Sequence, residues 1–141
     1  MDTAGYSGTP PVKKLGIKSG FKIRLINAPA NYFSLLGDMP PDVKVSSEKK
    51  PAKDMIHYFT VKTKDLQCDL LSLKNEIVPN GIIWISWPKK ASGVLTDVTE
   101  DIIRELALAN GLVDIKVCAV DNTWSGLKLV IPVKDRLAAS E

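Results

Sequence analysis

Two continuous apolar runs constrain the fold of this chain more than any other feature. Met55–Val61 and Ile82–Trp87 are almost entirely apolar and rich in β-branched and aromatic residues, a composition typical of strands that are covered on both faces. Between them, residues 64–78 carry apolar side chains at the spacing of one helix face, with Thr63 placed to cap the helix. A strand, a helix and a second strand in this order indicate parallel pairing through a right-handed crossover.

Shorter elements flank this unit and continue the alternation of strands and helices. The further predicted elements are a helical turn over 12–17 ending near Gly16, a strand over 21–27, a helix over 30–36 closed by Gly37, an edge strand over 43–46, a helix capped by Thr96 or Thr99 and running to Asn110, and strands over 113–120 and 127–133. A short polar loop over 121–126 joins the last two strands, which therefore should form an antiparallel hairpin.

Together these elements predict one α/β domain. We expect a three-layer, Rossmann-like mixed sheet of about six strands, mostly parallel, with the hairpin as its C-terminal antiparallel part. The domain should span residues 21–133. Residues 1–20 are predicted to be an N-terminal arm with a short helical turn, and residues 134–141 a frayed tail.

Composition narrows the class of protein. The chain has 141 residues, 45% of them hydrophobic, which suffices for one core. No apolar run approaches the roughly 20 residues of a membrane helix, so we expect a cytoplasmic protein with no membrane partner and with Cys68 and Cys118 as buried, reduced thiols. Net charge is +3, from 19 basic and 16 acidic residues. Because the basic residues are spread along the chain, no nucleic-acid partner is expected.

From Asp54 onwards, the order of elements resembles the later half of class I methyltransferases. The resemblance rests on an apolar strand with a leading acid, Asp54–His57, on Val78–Gly81 before the next apolar strand, and on the closing hairpin. It implies the sheet order 2-1-3-4-6-5, with the last strand antiparallel beside the fourth. In that family a glycine-rich turn after the first strand holds the nucleotide cofactor. Here Asn27–Tyr32 has no glycine, and the expected ribose-binding acid is absent unless Glu48 serves, so no cofactor is evident.

The chain as a whole also resembles a bacterial family known as domain of unknown function 3052. The segments that carry this resemblance are residues 5–10, with the letters Gly-Tyr-Ser-Gly-Thr-Pro, and then Trp84–Lys90, Asp97–Asp101 and Asp121–Lys128. The resemblance implies a compact bacterial cytoplasmic protein and supplies no activity.

The candidate ligand site lies beyond the carboxyl ends of the parallel strands, where open α/β sheets bind ligands. Residues 27–29, residues 86–93 and the N-terminal arm should meet there. Two lysines, a Ser-Gly pair and the start of a helix would offer an anion several donors and a positive dipole end. The simpler interpretation is a solvated lysine pair, a turn and a helix cap. The candidate ligand-binding residues are Asn27, Trp87, Lys89, Lys90, Ser92, Gly93, Thr96 and Trp124.

The three tryptophans are predicted to differ in role. Trp84 and Trp87 have opposite strand parity, so they should point to opposite faces of the sheet. We expect Trp84 to pack in the core. Trp87 at a strand end and Trp124 in a loop are placed where a ring could stack on a planar ligand or a partner.

No residue is assigned a catalytic role. His57, the single histidine, stands in mid-strand, where a hydrogen-bonded core histidine is expected more often than a catalytic one. Without a second histidine or a close cysteine pair, no metal site is expected. Gly5–Gly8 matches the nucleophile-elbow motif only in part, and we expect it on no strand-to-helix turn.

These observations leave three functions open. The first is a non-catalytic module on a methyltransferase-like scaffold, which binds a small molecule or anion or has a regulatory role. The second is a small methyltransferase with an atypical cofactor pocket. The third is a protein-interaction subunit that self-associates through the arm, Gly5–Pro11.

Overall fold

The computed structural model describes residues 10–139, with side chains described as far as residue 136. Residues 1–9 of the predicted N-terminal arm, and with them the Gly5–Gly8 segment, therefore lie outside the described residues. The elements are α1 (Pro11–Lys14), β1 (Lys22–Ile26), α2 (Tyr32–Leu36), β2 (Lys44–Ser46), β3 (Lys53–Phe59), α3 (Thr63–Glu76), β4 (Ile77–Pro88), a 3-10 turn (Lys90–Ser92), α4 (Glu100–Ala109), β5 (Val113–Ala119), β6 (Trp124–Val130) and α5 (Val133–Ala139).

The described strands form one mixed sheet in the order β2-β1-β3-β4-β6-β5. The strands β1 to β4 pair in parallel, and β6 lies antiparallel to both β4 and β5. This is the predicted order, including the last strand beside the fourth. The two long apolar runs form the central strands β3 and β4, as expected for strands with helices on both faces.

A separate hydrophobic core covers each face of the sheet. On one face, α3 and α4 pack with residues such as Leu66, Leu70 and Ile103. On the other face, α1 and α2 pack around Trp84, whose indole Nε1–H donates to the carbonyl oxygen of Leu15 at 2.9 Å. Trp87 belongs to the first core and Trp84 to the second, which confirms that the two rings point to opposite faces.

The cap of α3 differs from the prediction. Thr63 is the first helical residue rather than the cap, and no side chain of the preceding residue caps the helix. Asp97 serves instead, because its Oδ1 accepts the Thr63 backbone N–H at 2.8 Å and its carbonyl oxygen accepts from Thr63 Oγ1 at 3.2 Å. A residue 34 positions away thus ties the start of α3 to the loop before α4. Thr99 caps α4, accepting the N–H of Ile102 at 3.2 Å.

Strand β4 begins earlier than predicted. It starts at Ile77, directly after α3, and Pro79–Gly81 lies inside it at a register shift in its pairing with β3. A Cβ atom at Gly81 would lie 2.8 Å from the Cβ of Ile77 and 3.0 Å from the Val78 carbonyl oxygen. Only glycine lets the backbone approach this closely.

Other differences concern the C-terminal third and the cysteines. Trp124 opens strand β6 opposite Pro88 rather than lying in a loop. Much of the predicted frayed tail is the helix α5. The apolar face of α4 centres on Ile103 and Ala107, and Ala109 is exposed. Cys68 is exposed and Cys118 half-buried, so the prediction that both thiols are buried is wrong.

Candidate functional site

A cavity of about 510 Å³ lies beyond the carboxyl end of β4. It is bounded by the end of the strand, the loop that follows and the first turn of α4. We call it the β4–α4 cavity. Its lining residues are Trp87, Pro88, Lys90, Gly93, Val94, Leu95, Thr96, Val98, Thr99 and Glu100.

The structure brings four of the predicted site residues together in this cavity: Trp87, Lys90, Gly93 and Thr96. The other four do not line it. The Lys89 backbone N–H donates to the Thr123 carbonyl oxygen at 2.8 Å, and Ser92 Oγ donates to the Lys89 carbonyl oxygen at 2.7 Å. These two residues build the turn. Asn27 follows β1 and contacts the end of β3, and Trp124 is the first residue of β6.

Local hydrogen bonds shape the loop that forms the cavity rim. Gly93 takes a left-handed conformation, with φ of 77°, and closes the 3-10 turn. Thr96 Oγ1 donates to the Val61 carbonyl oxygen at 2.8 Å and accepts the Val98 N–H at 3.0 Å, which pins the loop to the end of β3. Between Gly93 and Thr96, the Val94 N–H donates to Ser92 Oγ at 3.2 Å. Leu95 is 91% exposed there.

The electrostatics of the α4 terminus do not favour a bare anion. Thr99 already satisfies a free N–H of the first turn, and Glu100 and Asp101 add negative charge there. Arg104 pairs with both carboxylates and with Asp114. Within the described lining, Lys90 is the cation and Glu100 the carboxylate. A ligand in this cavity therefore meets apolar surface, one exposed amine and a carboxylate that is already paired with Arg104.

The crevice between the ends of β1 and β3 is bridged. The chain runs to helices on opposite faces after these two strands, which makes this crevice the usual ligand position of an open sheet. The Asn27 side chain donates from Nδ2 to the Phe59 carbonyl oxygen at 3.3 Å. Asn27 also has a positive φ of 58°, a conformation that asparagine tolerates better than most residues.

The turn after β1 does not fit a nucleotide cofactor held in the usual way. It contains no glycine, Pro29 has no N–H, and the Tyr32 N–H is used by the Pro29 carbonyl oxygen at 3.0 Å. Backbone amides that approach a pyrophosphate or carboxylate are what such a turn supplies. Residues 27–32 therefore do not supply the backbone contacts with which such a turn holds S-adenosylmethionine.

His57 is a core residue, as its strand position predicts. It is fully buried, with Nδ1 2.9 Å from the Tyr32 hydroxyl and Nε2 2.7 Å from Ser86 Oγ, and its ring stacks on Phe59 at 4.2 Å. Burial lowers the pKa of His57 to about 3. The ring is neutral at physiological pH and serves the core.

A second, smaller cavity of about 180 Å³ was missed by sequence reasoning. It lies between β1 and α3, where the Arg24 guanidinium pairs with Glu76 and the Tyr58 hydroxyl donates to Asp69 Oδ2 at 2.6 Å. Burial, followed by the bond to Asp69, raises the pKa of Tyr58. The available signal was Arg24 itself, a charged residue between Ile23 and Leu25 in a strand that is apolar after Lys22. Glu76 binds one terminal nitrogen of the Arg24 guanidinium, whereas the Arg24 Nε is buried without a hydrogen-bond partner among the described residues.

The fold is a methyltransferase-like, Rossmann-like scaffold. The chain is similar to a SAM-dependent methyltransferase from Aquifex aeolicus, with a TM-score of 0.59 and 16% identity over 85% of this chain and 87% of that one. It is also similar to the ribosomal protein L11 methylase of Lactobacillus delbrueckii subsp. bulgaricus, with a TM-score of 0.57 and 10% identity over 86% and 74%. A third is magnesium protoporphyrin IX methyltransferase from Synechocystis PCC 6803 with bound SAM, with a TM-score of 0.53 and 11% identity over 85% and 74%. At these identities the likeness shows the fold alone.

Sequence comparison gives a different kind of match. The chain is 31% identical over 111 residues to the Holliday junction branch migration complex subunit RuvA of Lachnospira eligens, covering 77% of this chain and 50% of that one. It thus spans about half the length of the curated relative that it matches. No family model matches the chain.

The described residues contain neither a membrane-spanning helix nor a cluster of metal-ligating side chains. None of the described helices is long and apolar enough to cross a membrane. In the same part of the chain, no group of three or more histidine, cysteine, aspartate and glutamate side chains is placed to hold a metal ion.

Proposed function

We propose that this chain is a non-catalytic, small-molecule-binding module on a methyltransferase-like scaffold, with its ligand in the β4–α4 cavity. The observation that carries the proposal is the contrast between two positions at the same edge of the sheet. The crevice beside β1 is bridged by Asn27, whereas the cavity beyond β4 is open and lined by residues that the sequence already indicated.

The lining suggests the chemistry of the ligand. Val94 and Leu95 offer exposed apolar surface, Trp87 and Val98 line the cavity from the core, and Lys90 offers one amine. The cavity volume of about 510 Å³ falls within the range of roughly 300–1,000 Å³ that small-molecule sites occupy. A flat, largely apolar molecule with one anionic group, such as an aromatic carboxylate, fits this lining better than a bare phosphate does.

Calorimetric titration with a panel of aromatic carboxylates, nucleotides and inorganic phosphate tests this proposal. We expect binding by at least one aromatic carboxylate, weakened about tenfold in Lys90→Met, since a charge-assisted contact contributes about 1.5 kcal/mol or more. Lys64→Met, which removes an exposed lysine from α3, is the matched control and should bind like the parent chain. If no compound in the panel gave binding heat, a ligand site of this kind would be excluded.

An atypical methyltransferase is the alternative that the structural neighbours favour, because SAM-dependent methyltransferases share this fold. Calorimetry with S-adenosylmethionine and S-adenosylhomocysteine at millimolar concentration separates the two proposals. Heat with both compounds would favour the enzyme and overturn the non-catalytic module. If Asn27→Ala abolished that heat, the cofactor would lie at the bridged crevice. If neither compound gave heat, the methyltransferase alternative would be excluded.

An interaction subunit is the third proposal, and the likeness to a subunit of a branch migration complex is what favours it. Under this proposal the protein is cytoplasmic and the arm, Gly5–Pro11, docks on a second copy. Deleting the residues before Val12 should then lower the oligomeric state measured by light scattering. An unchanged state in the truncated chain would remove the support for docking through the arm.

A further inference from the structure

A group of lysines lies on the α1 side of the β5–β6 hairpin. Lys116 stands directly opposite Lys128 in the antiparallel ladder, and Lys128 stands opposite Trp84, whose ring contacts α1. Lys18, just beyond α1, is close enough to act electrostatically on Lys128. We call Lys18, Lys116 and Lys128 the lysine face.

Two more lysines extend this positive region. Lys14 and Lys89 act, together with Lys116, on the half-buried thiol of Cys118. Cys118 is two residues along β5 from Lys116 and therefore shares its side of the sheet. The region draws on α1, the loop after β4, and both strands of the hairpin. Basic residues that are dispersed in the sequence are thus gathered by the strand pairing.

The lysine face carries positive charge that is not neutralised locally. Within the described part of the chain, no salt bridge involves Lys18, Lys116 or Lys128. Like charges directly opposite in a ladder destabilise a sheet. Partial burial, followed by the charges of Lys116 and Lys18, lowers the pKa of Lys128. The fold therefore holds amines together at a cost in stability, an arrangement that an external polyanion would relieve.

We propose that the lysine face binds the phosphate backbone of nucleic acid. Lysine is depleted from the centres of protein interfaces, which favour aromatic and apolar side chains, whereas clustered amines that displace counterions are the ordinary basis of backbone binding. Trp124 lies on the same side of β6 as Lys128, because the two are four residues apart on one strand. Its ring packs edge-to-face on Phe59 and is half-buried, and aromatic rings that remain partly exposed are the side chains on which unpaired bases stack.

This surface is distinct from the β4–α4 cavity, since none of the three lysines lines that cavity. The sequence-based expectation of no nucleic-acid partner rested on the dispersal of basic residues along the chain. The basic residues are dispersed along the sequence, but strand pairing brings Lys116 and Lys128 together on the folded surface.

The test is fluorescence anisotropy of labelled single-stranded and duplex DNA, titrated with the full chain at several salt concentrations. Three lysines predict a log–log salt slope of about −2 on single strands and about −3 on duplex. Lys116→Gln with Lys128→Gln should weaken binding at least tenfold at low salt and reduce the slope by more than one. Its matched control is Lys62→Gln with Lys64→Gln, two exposed residues at the start of α3, which removes the same charge and should leave binding unchanged.

Three outcomes would overturn the proposal. One is equal loss in both double variants, which would show a response to net charge alone. Another is that DNA binding does not depend on the lysine face, either because the chain fails to bind DNA at low salt or because binding survives the hairpin substitutions. The third is lysine-dependent binding of poly-glutamate or of phosphatidylserine vesicles without binding of DNA, which would assign the surface to an acidic protein or a membrane. The thermal midpoint of the hairpin variant should not fall, since its substitutions remove repulsion.

Discussion

Acid should destabilise this protein through His57 more than through any exposed group, and the effect can be isolated. The pKa of His57 is lowered by burial to about 3, against about 6.5 in the unfolded chain. Because the folded-state pKa is the lower one, the unfolded chain binds the proton more tightly. Stability is therefore fully present above pH 6.5 and is lost as the pH falls towards 3.

The magnitude follows from linkage. At about pH 4.5 the unfolded histidine is protonated and the folded one is neutral, two pH units below the unfolded pKa. At about 1.4 kcal/mol per unit, this costs between about 2 and 3 kcal/mol relative to pH 7.5. The neutral ring satisfies Tyr32 and Ser86 with one donor and one acceptor. Of the contacting groups only the Tyr32 phenol titrates, and burial raises its pKa, so it stays neutral throughout this range.

Urea unfolding followed by tryptophan fluorescence at both pH values provides the assay. His57→Gln cannot titrate and should lose between about 2 and 3 kcal/mol less than the parent chain on acidification. Its lower stability at neutral pH, from the lost stacking on Phe59, cancels in this difference. His57→Asn is a second variant of the same kind. Equal losses on acidification in parent and variants would refute the reasoning.

Substitutions at three further places test the packing and can be measured by the same urea unfolding. Asp97→Ala should cost about 1 kcal/mol because it frees the first N–H of α3, and Asp97→Asn should cost less. Gly126→Ala places a Cβ atom 3.2 Å from Trp84 Cε3 and should cost roughly 1–3 kcal/mol by overpacking. Arg24→Met leaves Glu76 buried without its cation and should cost about 3–5 kcal/mol, largely recovered by adding Glu76→Leu. Unchanged unfolding midpoints would contradict each of these expectations separately.

The sheet could be predicted from sequence because its evidence is local and repeated. Each apolar run, such as Met55–Val61, is bounded by residues that stop or turn the chain, and the alternation with helices leaves few topologies. The predicted element boundaries were wrong where a polar side chain, near or far in sequence, fixed the end of a strand or helix. Asp121 Oδ1 accepts the N–H groups of Thr123 and Trp124 at 2.8 and 2.7 Å. This Asx turn shortens the hairpin loop and moves Trp124 into the strand.

The candidate site was partly predictable for a related reason. The carboxyl end of β4 follows from strand direction, so Trp87 and Lys90 could be placed there before any coordinates. The role of Asn27 could not, because its hydrogen bond crosses to Phe59 on another strand and needs the register of β1 against β3. Arg24 and Glu76 are 52 residues apart. Their pairing depends on how α3 lies across β1, which no local pattern encodes.

The positions of the two proposed surfaces make one joint prediction. The β4–α4 cavity lies beyond the end of β4, and its rim includes Lys90, whereas Lys89 is one of the lysines that extend the lysine face. Two hydrogen bonds fix the Lys89 backbone between the two surfaces: its carbonyl oxygen accepts from Ser92 Oγ, and its N–H donates to the Thr123 carbonyl oxygen. Lys90→Met should therefore weaken aromatic carboxylates without changing DNA affinity, and Lys116→Gln with Lys128→Gln should do the reverse. Both effects measured on the same preparations would show two independent sites, because residues without shared partners contribute additively. A loss of both activities in either variant would mean that one site had been mistaken for two.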